Sequence, residues 1–298
     1  MVRLNRRVFF VLVPAAAMIG ACAAAEDETA DPLTANPTVL SADGTPISYD
    51  MAGDGATTLV LVHGWSCDRT YYDAQLEEFA TDHRVVRVDL AGHGASGTTR
   101  RAYSMASFGA DVAAVVNSLD LSSVVLVGHS MGGDVIMEAA KLVPGRVAGL
   151  IWVDTYKSLP IQRSEPELEG LIAPFRQDFR GTTEAFVRGM FPVGADSVLV
   201  SRVANDMSSA PPEVALSALE SALRYAHEIP AALETLRLPV LAINPDNSPT
   251  DESALRSYGV ESIIMPDVGH FLMMEDPARF NAVLREALQR ISTGPARL

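Results

Sequence analysis

Five residues constrain this chain more than any others. Gly128-His129-Ser130-Met131-Gly132 stand between an apolar run, Val124 to Val127, and a helical stripe made by Val135, Ala139 and Val143. A strand that passes into a helix through so short a link must turn sharply. Bulky side chains two residues either side of the serine would collide with neighbouring backbone, and glycine at 128 and 132 relieves this. A G-x-S-x-G segment in that context raises a serine hydroxyl at the C-terminal end of a strand, near the positive end of a helix dipole. Ser130 is therefore the candidate nucleophile.

The rest of the chain alternates in the same way. Thr58 to Val62 is a continuous apolar run, as expected of a strand covered by helices on both faces. Arg84 to Asp89, Val147 to Val153, Pro239 to Ile243 and Ser262 to Met265 supply further strands. Phe108, Val112, Val115, Val116 and Leu119 recur at helical spacing, as do Phe280, Val283, Leu284, Ala287, Leu288 and Ile291. Alternating units of this kind predict an α/β fold with a mostly parallel, doubly wound sheet. Residues 38–155 and 237–298 are assigned to this core. The alternation fails across residues 156–236, which read as a helical cap inserted between two core strands. Its Phe175, Phe179, Phe186, Met190, Phe191 and Met207 are expected mainly to form the cap's own core, with some lining an acyl pocket.

A serine hydroxyl is a poor nucleophile at neutral pH and needs a base. Of the six histidines, His270 follows Gly269 in the loop after the last strand, and a late histidine fits the chain order Ser, acid, His. His63 and His93 sit in loops after strands and are read as structural; His83 and His227 are read as surface residues. The base in turn needs a carboxylate to fix its tautomer and balance its charge. Asp246, in Asn244-Pro245-Asp246-Asn247, is favoured. Asp154, at the end of the strand Val147 to Val153, is its competitor, and Asp251 is read as a helix cap. Two backbone N–H groups are expected to stabilise an oxyanion: that of Met131, directly after the nucleophile, and that of Trp65, in the loop His63-Gly64-Trp65-Ser66. A histidine base must be neutral to accept a proton, so activity is expected to fall in mild acid.

The N-terminus carries a different message. Arg3, Arg6 and Arg7 precede the apolar run Val8 to Ala17, and small residues follow to Cys22. This is the pattern of an export signal over residues 1–21. Ile19-Gly20-Ala21-Cys22 looks like a lipobox, which makes Cys22 a lipidation site; plain secretion with cleavage near Ala23 to Ala25 is the alternative. Asn5-Arg6-Arg7-Val8-Phe9-Phe10 resembles a twin-arginine signal, with Asn5 in place of the usual Ser or Thr. Residues 22–37 read as a flexible tether. Loss of residues 1–21 takes three arginines and no acids from 23 basic and 37 acidic residues, leaving 20 against 37, a formal charge of −17. So acidic a body argues against nucleic acid or anionic membrane as a charge-driven partner. Membrane association is expected through the N-terminal lipid alone. With Cys22 lipidated, Cys67 has no cysteine partner and is read as a buried thiol.

Taken in order, His63-Gly64-Trp65, Asp89-Leu90-Ala91-Gly92-His93-Gly94-Ala95-Ser96, Gly128-His129-Ser130-Met131-Gly132-Gly133, Gly269-His270-Phe271 and Glu275-Asp276-Pro277 resemble the α/β-hydrolase superfamily across nearly the whole chain after residue 40. The resemblance implies a serine esterase in which Ser130 is acylated and water releases the acid. It implies no cofactor and no metal. Relatives that act on haloalkanes or epoxides place Asp where this chain has Ser130. Many relatives carry Gly-x-x-Asp after the penultimate strand, a pattern that places Asn247 where the acid is expected. The expected substrate is an apolar carboxylic ester or lactone of small to medium size. A non-hydrolytic enzyme on the same fold, such as a perhydrolase, lyase or cofactor-free oxygenase, is the alternative, followed by a non-catalytic binding protein.

Overall fold

The computed structural model describes residues 36–293. The expected export signal, Cys22 and most of the tether lie outside the described residues. Two short strands open the fold, β1 (Thr38–Leu40) and β2 (Pro46–Ala52). They are followed by β3 (Thr58–Val62), a 3₁₀ turn at Arg69–Tyr72, α1 (Asp73–Phe79), β4 (Arg84–Val88), α2 (Met105–Ser118), β5 (Val124–His129), α3 (Met131–Leu142) and β6 (Val147–Val153). Five helices then intervene: α4 (Glu165–Gln177), α5 (Phe179–Arg188), α6 (Ser197–Ser208), α7 (Pro212–Tyr225) and α8 (Ile229–Leu236). The chain returns through β7 (Val240–Pro245), α9 (Glu252–Ser257), β8 (Val260–Met265), α10 (Leu272–Glu275) and α11 (Pro277–Thr293).

The eight strands form one sheet in the order β1-β2-β4-β3-β5-β6-β7-β8. From β4 to β8 all neighbours are parallel, while β1 and β2 pair antiparallel along one edge. Every residue of β3 and β5 is buried, which explains their unbroken apolar runs. Inserted between β6 and β7, the five helices are fastened to the core by side chains. Tyr71 donates its hydroxyl to Asp206 of α6 at 2.8 Å, and the Trp65 indole N–H donates to the carbonyl of Ala215 in α7 at 2.7 Å.

The loops beyond the C-terminal ends of the strands are built from buried polar groups. Asp89 accepts from the backbone N–H groups of Arg69 and Ala95, both at 2.9 Å, and pairs with the Arg69 guanidinium at 3.0 Å. Ser96 donates to the Asp89 carbonyl and accepts from the Ser48 N–H, which ties the loop to β2. His63 is fully buried. Its Nε2 accepts from the Leu90 N–H at 3.0 Å, and its Nδ1–H donates to the Gly64 carbonyl at 2.8 Å. Burial lowers His63 to about 4 and His93 to about 3, so both rings are neutral parts of the scaffold, as read from the sequence.

This gives a prediction with a definite sign. A histidine whose folded pKa is depressed leaves the unfolded chain binding more protons between the folded value and about 6.5. The stability that neutral His63 supports is complete above that window and is lost as pH falls towards 4. His63→Gln removes one of the two hydrogen bonds and is expected to destabilise by about 1–3 kcal/mol at pH 7. At pH 5 the gap between wild type and variant, read from urea unfolding, is expected to narrow by about 2 kcal/mol. A gap independent of pH would contradict the assignment.

Candidate active site

Ser130 joins β5 to α3 with φ 52° and ψ −120°, a conformation that costs a non-glycine residue on the order of 1–3 kcal/mol. The surroundings enforce it. The Ser130 N–H donates to the Val153 carbonyl at 2.9 Å, and its own carbonyl accepts from the Gly133 N–H at 2.9 Å and the Thr155 hydroxyl at 3.1 Å. The two glycines are required by contact. A Cβ at 128 would stand 2.2 Å from the Gly132 carbonyl oxygen, and one at 132 would stand 2.5 Å from that of Val62. Helix α3 therefore starts hard against β3 and β5, with the serine at its head.

His270 enters from the loop after β8. Its backbone N–H donates to the Met190 carbonyl at 3.1 Å. The amides on either side of it, Gly269 and Phe271, donate to the two carboxylate oxygens of Glu275 at 2.8 and 3.0 Å. The His270 ring donates from Nδ1 to Asp154 Oδ2 at 2.7 Å, with both side chains largely buried. That bond assigns the tautomer and leaves Nε2 free to accept. His270 and Ser130 line the same cavity. No hydrogen bond joins their side chains among the described residues, and such contacts commonly tighten only with substrate bound.

The expectation that Asp246 partners His270 is corrected here. Asp246 is exposed, and its carboxylate accepts the Asp267 N–H at 3.0 Å. It follows β7, one strand further from Ser130 than β6, whose end carries Asp154. Asp154 adopts φ 45° and is set by its N–H donating to the Ile243 carbonyl at 2.9 Å. Its second oxygen faces Lys157 Nζ at 3.7 Å. The same ammonium group donates to the Pro245 carbonyl and to the side chain of Asn247, which occupies the position the family pattern gives to the acid.

Trp65 and Met131 present backbone N–H groups without acceptors among the described residues. A trans peptide directs its C=O and N–H to opposite sides. The Gly64 carbonyl is held by the His63 ring and by the Cys67 N–H at 3.3 Å, which turns the Trp65 N–H the other way. The Ser130 carbonyl is held by Gly133 and Thr155, so the Met131 N–H, an unpaired donor of the first helical turn, is likewise directed away from them. Both residues line the cavity.

The cavity measures about 220 Å³, below the roughly 300–1,000 Å³ of clefts that take drug-sized ligands. Apolar side chains dominate it, among them Phe186, Met190, Met207 and Leu219 from the segment between β6 and β7. Phe175 and Phe179 pack edge-on against Trp65, and Phe191 stacks on Phe271 at 5.0 Å. Cys67 lines the cavity as a free thiol, and burial pushes its pKa up. His129 is buried and kept neutral by its burial, and its Nε2–H donates to the His270 carbonyl at 2.9 Å. Sequence reasoning gave no role to Glu275, Lys157, Asp134 or Tyr156. The short spacing from His270 to Glu275 was the one available signal; the other three become visible when β6 is placed beside β5.

Comparison with known proteins places the chain in a family. The chain is 29% identical to the pimeloyl-[acyl-carrier protein] methyl ester esterase of Edwardsiella ictaluri over 80% of this chain and 95% of that protein. It is 34% identical to a non-heme chloroperoxidase of Streptomyces lividans, over 50% of this chain and 54% of that one. A solved structure of an N-acyl homoserine lactone degrading enzyme is 26% identical, with a TM-score of 0.71, covering 84% of this chain and 99% of its own. Over three of its curated relatives the chain spans 53% to 66% of their length. The model of the alpha/beta hydrolase family matches residues 59–283, the stretch that carries the sheet from β3 onward, the strained serine and His270, and the chain belongs to that family.

Proposed function

We propose that this protein is a serine hydrolase that cleaves carboxylic esters or lactones through an acyl-enzyme on Ser130. The observation that carries the reading is the His270–Asp154 bond of 2.7 Å, formed at the cavity that also receives Ser130 from its strained turn. In this reading His270 Nε2 takes the hydroxyl proton as Ser130 attacks the carbonyl carbon. The imidazolium so formed is held by Asp154. The N–H groups of Trp65 and Met131 donate to the oxyanion. His270 then returns the proton to the leaving alcohol, and water repeats the sequence to free the acid. Similarity to a methyl ester esterase and to a lactone-degrading enzyme supports the substrate class. The cavity's size and apolar wall favour a short acyl or alkyl group.

The similarity to a chloroperoxidase supports a second outcome at the same site, in which hydrogen peroxide replaces water and releases a peracid. Export and lipidation at Cys22 remain part of the proposal on sequence grounds.

Three outcomes test this reading. Ser130→Ala is expected to lower kcat/KM on p-nitrophenyl esters by about 10⁴-fold or more. Retention of most activity removes the serine from the mechanism. Asp154→Asn is expected to cost about 10³–10⁴-fold, because the ring loses its orienting acceptor, while Asp246→Asn stays within about threefold of wild type. The reverse ranking would restore Asp246 as the acid. In a chain-length series the rate is expected to peak among short acyl groups, acetate to hexanoate, and to drop steeply at dodecanoate. A profile that rises with length would mean that the cavity opens further than it stands here.

A further inference from the structure

The cavity wall holds one acid that the ester mechanism does not use. Asp134 lies one turn into α3 from Ser130, is 4% exposed, and lines the cavity together with Tyr156 and Thr155. Its Oδ1 accepts the Tyr156 hydroxyl at 2.6 Å. Its Oδ2 has no partner among the described residues. Burial raises Asp134 to about 7 against the opposing pull of the tyrosine, as expected of a carboxyl that one donor leaves incompletely satisfied. Arg163 also lines the cavity but makes no ion pair with Asp134.

A buried carboxyl in an otherwise apolar wall costs free energy unless something completes its hydrogen bonding. The protein supplies one donor and leaves the cavity side open. Four residues of helix separate Asp134 from Ser130, about 6 Å along the axis. A substrate whose carbonyl carbon sits at Ser130 therefore brings atoms only a few bonds away to the carboxyl.

We propose that Asp134, held by Tyr156, is a specificity-determining residue that accepts a hydrogen bond from the substrate, and that the preferred esters carry a hydroxyl or amide N–H close to the scissile carbonyl. This rests on the ester-hydrolase reading and narrows its substrate class. A site built to receive a donor discriminates strongly against the analogue that lacks it, because the buried acceptor is then stranded.

The test compares methyl hexanoate with its 2-hydroxy and 3-hydroxy derivatives and with the corresponding methyl ethers, by acid release at constant pH. Wild-type enzyme is expected to favour at least one hydroxy ester over both its ether and the plain ester by about tenfold or more in kcat/KM. In Asp134→Leu that ratio is expected to fall to about one or below, whatever the absolute rate. Asp134→Asn, which keeps the shape and an acceptor oxygen, guards against loss of fold in the leucine variant. It is expected to retain part of the preference. A wild-type enzyme indifferent to the hydroxyl, or a preference unchanged in both variants, overturns the inference and leaves the ester reading standing. Equal turnover of all these esters by Ser130→Ala would instead mean that the ester reading itself has failed.

Discussion

The turn at Ser130 is the constraint on which the rest depends. A backbone at φ 52° and ψ −120° holds only if its neighbours over-determine it. Here the Val153 carbonyl fixes the serine N–H, Gly133 and Thr155 fix its carbonyl, and two glycines let α3 touch the ends of β3 and β5. The same contacts that impose the strain also aim the Met131 N–H, because its peptide has no remaining freedom to rotate. The opposite donor, at Trp65, is aimed by the neutral His63 ring through the Gly64 carbonyl. Two structural features far apart in sequence thus direct the two donors that the proposed mechanism uses.

The family and most of the sheet were legible because their signals are local. Thr58–Val62 and Val147–Val153 are apolar runs with the observed boundaries, and the serine sits between strand and helix as its pentapeptide requires. The antiparallel strands β1 and β2 gave no such signal. The three residues of β1, with alternating exposure, are too few to establish a period, and β2 buries its three central residues in a row and exposes its end. The acid was legible only as a choice. Asp154 and Asp246 both follow strands and both lie between serine and histidine in the chain. What separates them is lateral order: β6 neighbours β5, and β7 lies beyond it. Sequence spacing holds no record of that order, whereas a sheet makes it decisive.

The helices between β6 and β7 turn an open strand end into a cavity. Trp65 reaches into them through its indole N–H, and Met190 anchors the His270 loop through its carbonyl. Their side chains make most of the wall apolar, so the few polar groups in it stand out. Two of these, His270 and Ser130, are joined by the proposed proton transfer, with Asp154 behind the His270 ring. Asp134 and Tyr156 are a separate pair on the same wall, and their presence argues that the cavity reads more than the length of an acyl chain.

The central claim is that Ser130 alone becomes covalently modified in turnover. Treatment of the protein with a fluorophosphonate, followed by intact-mass measurement and peptide mapping, tests it without knowledge of the substrate. The account predicts one adduct, on the peptide that carries Ser130. An unmodified protein, or an adduct on any other residue, would contradict it.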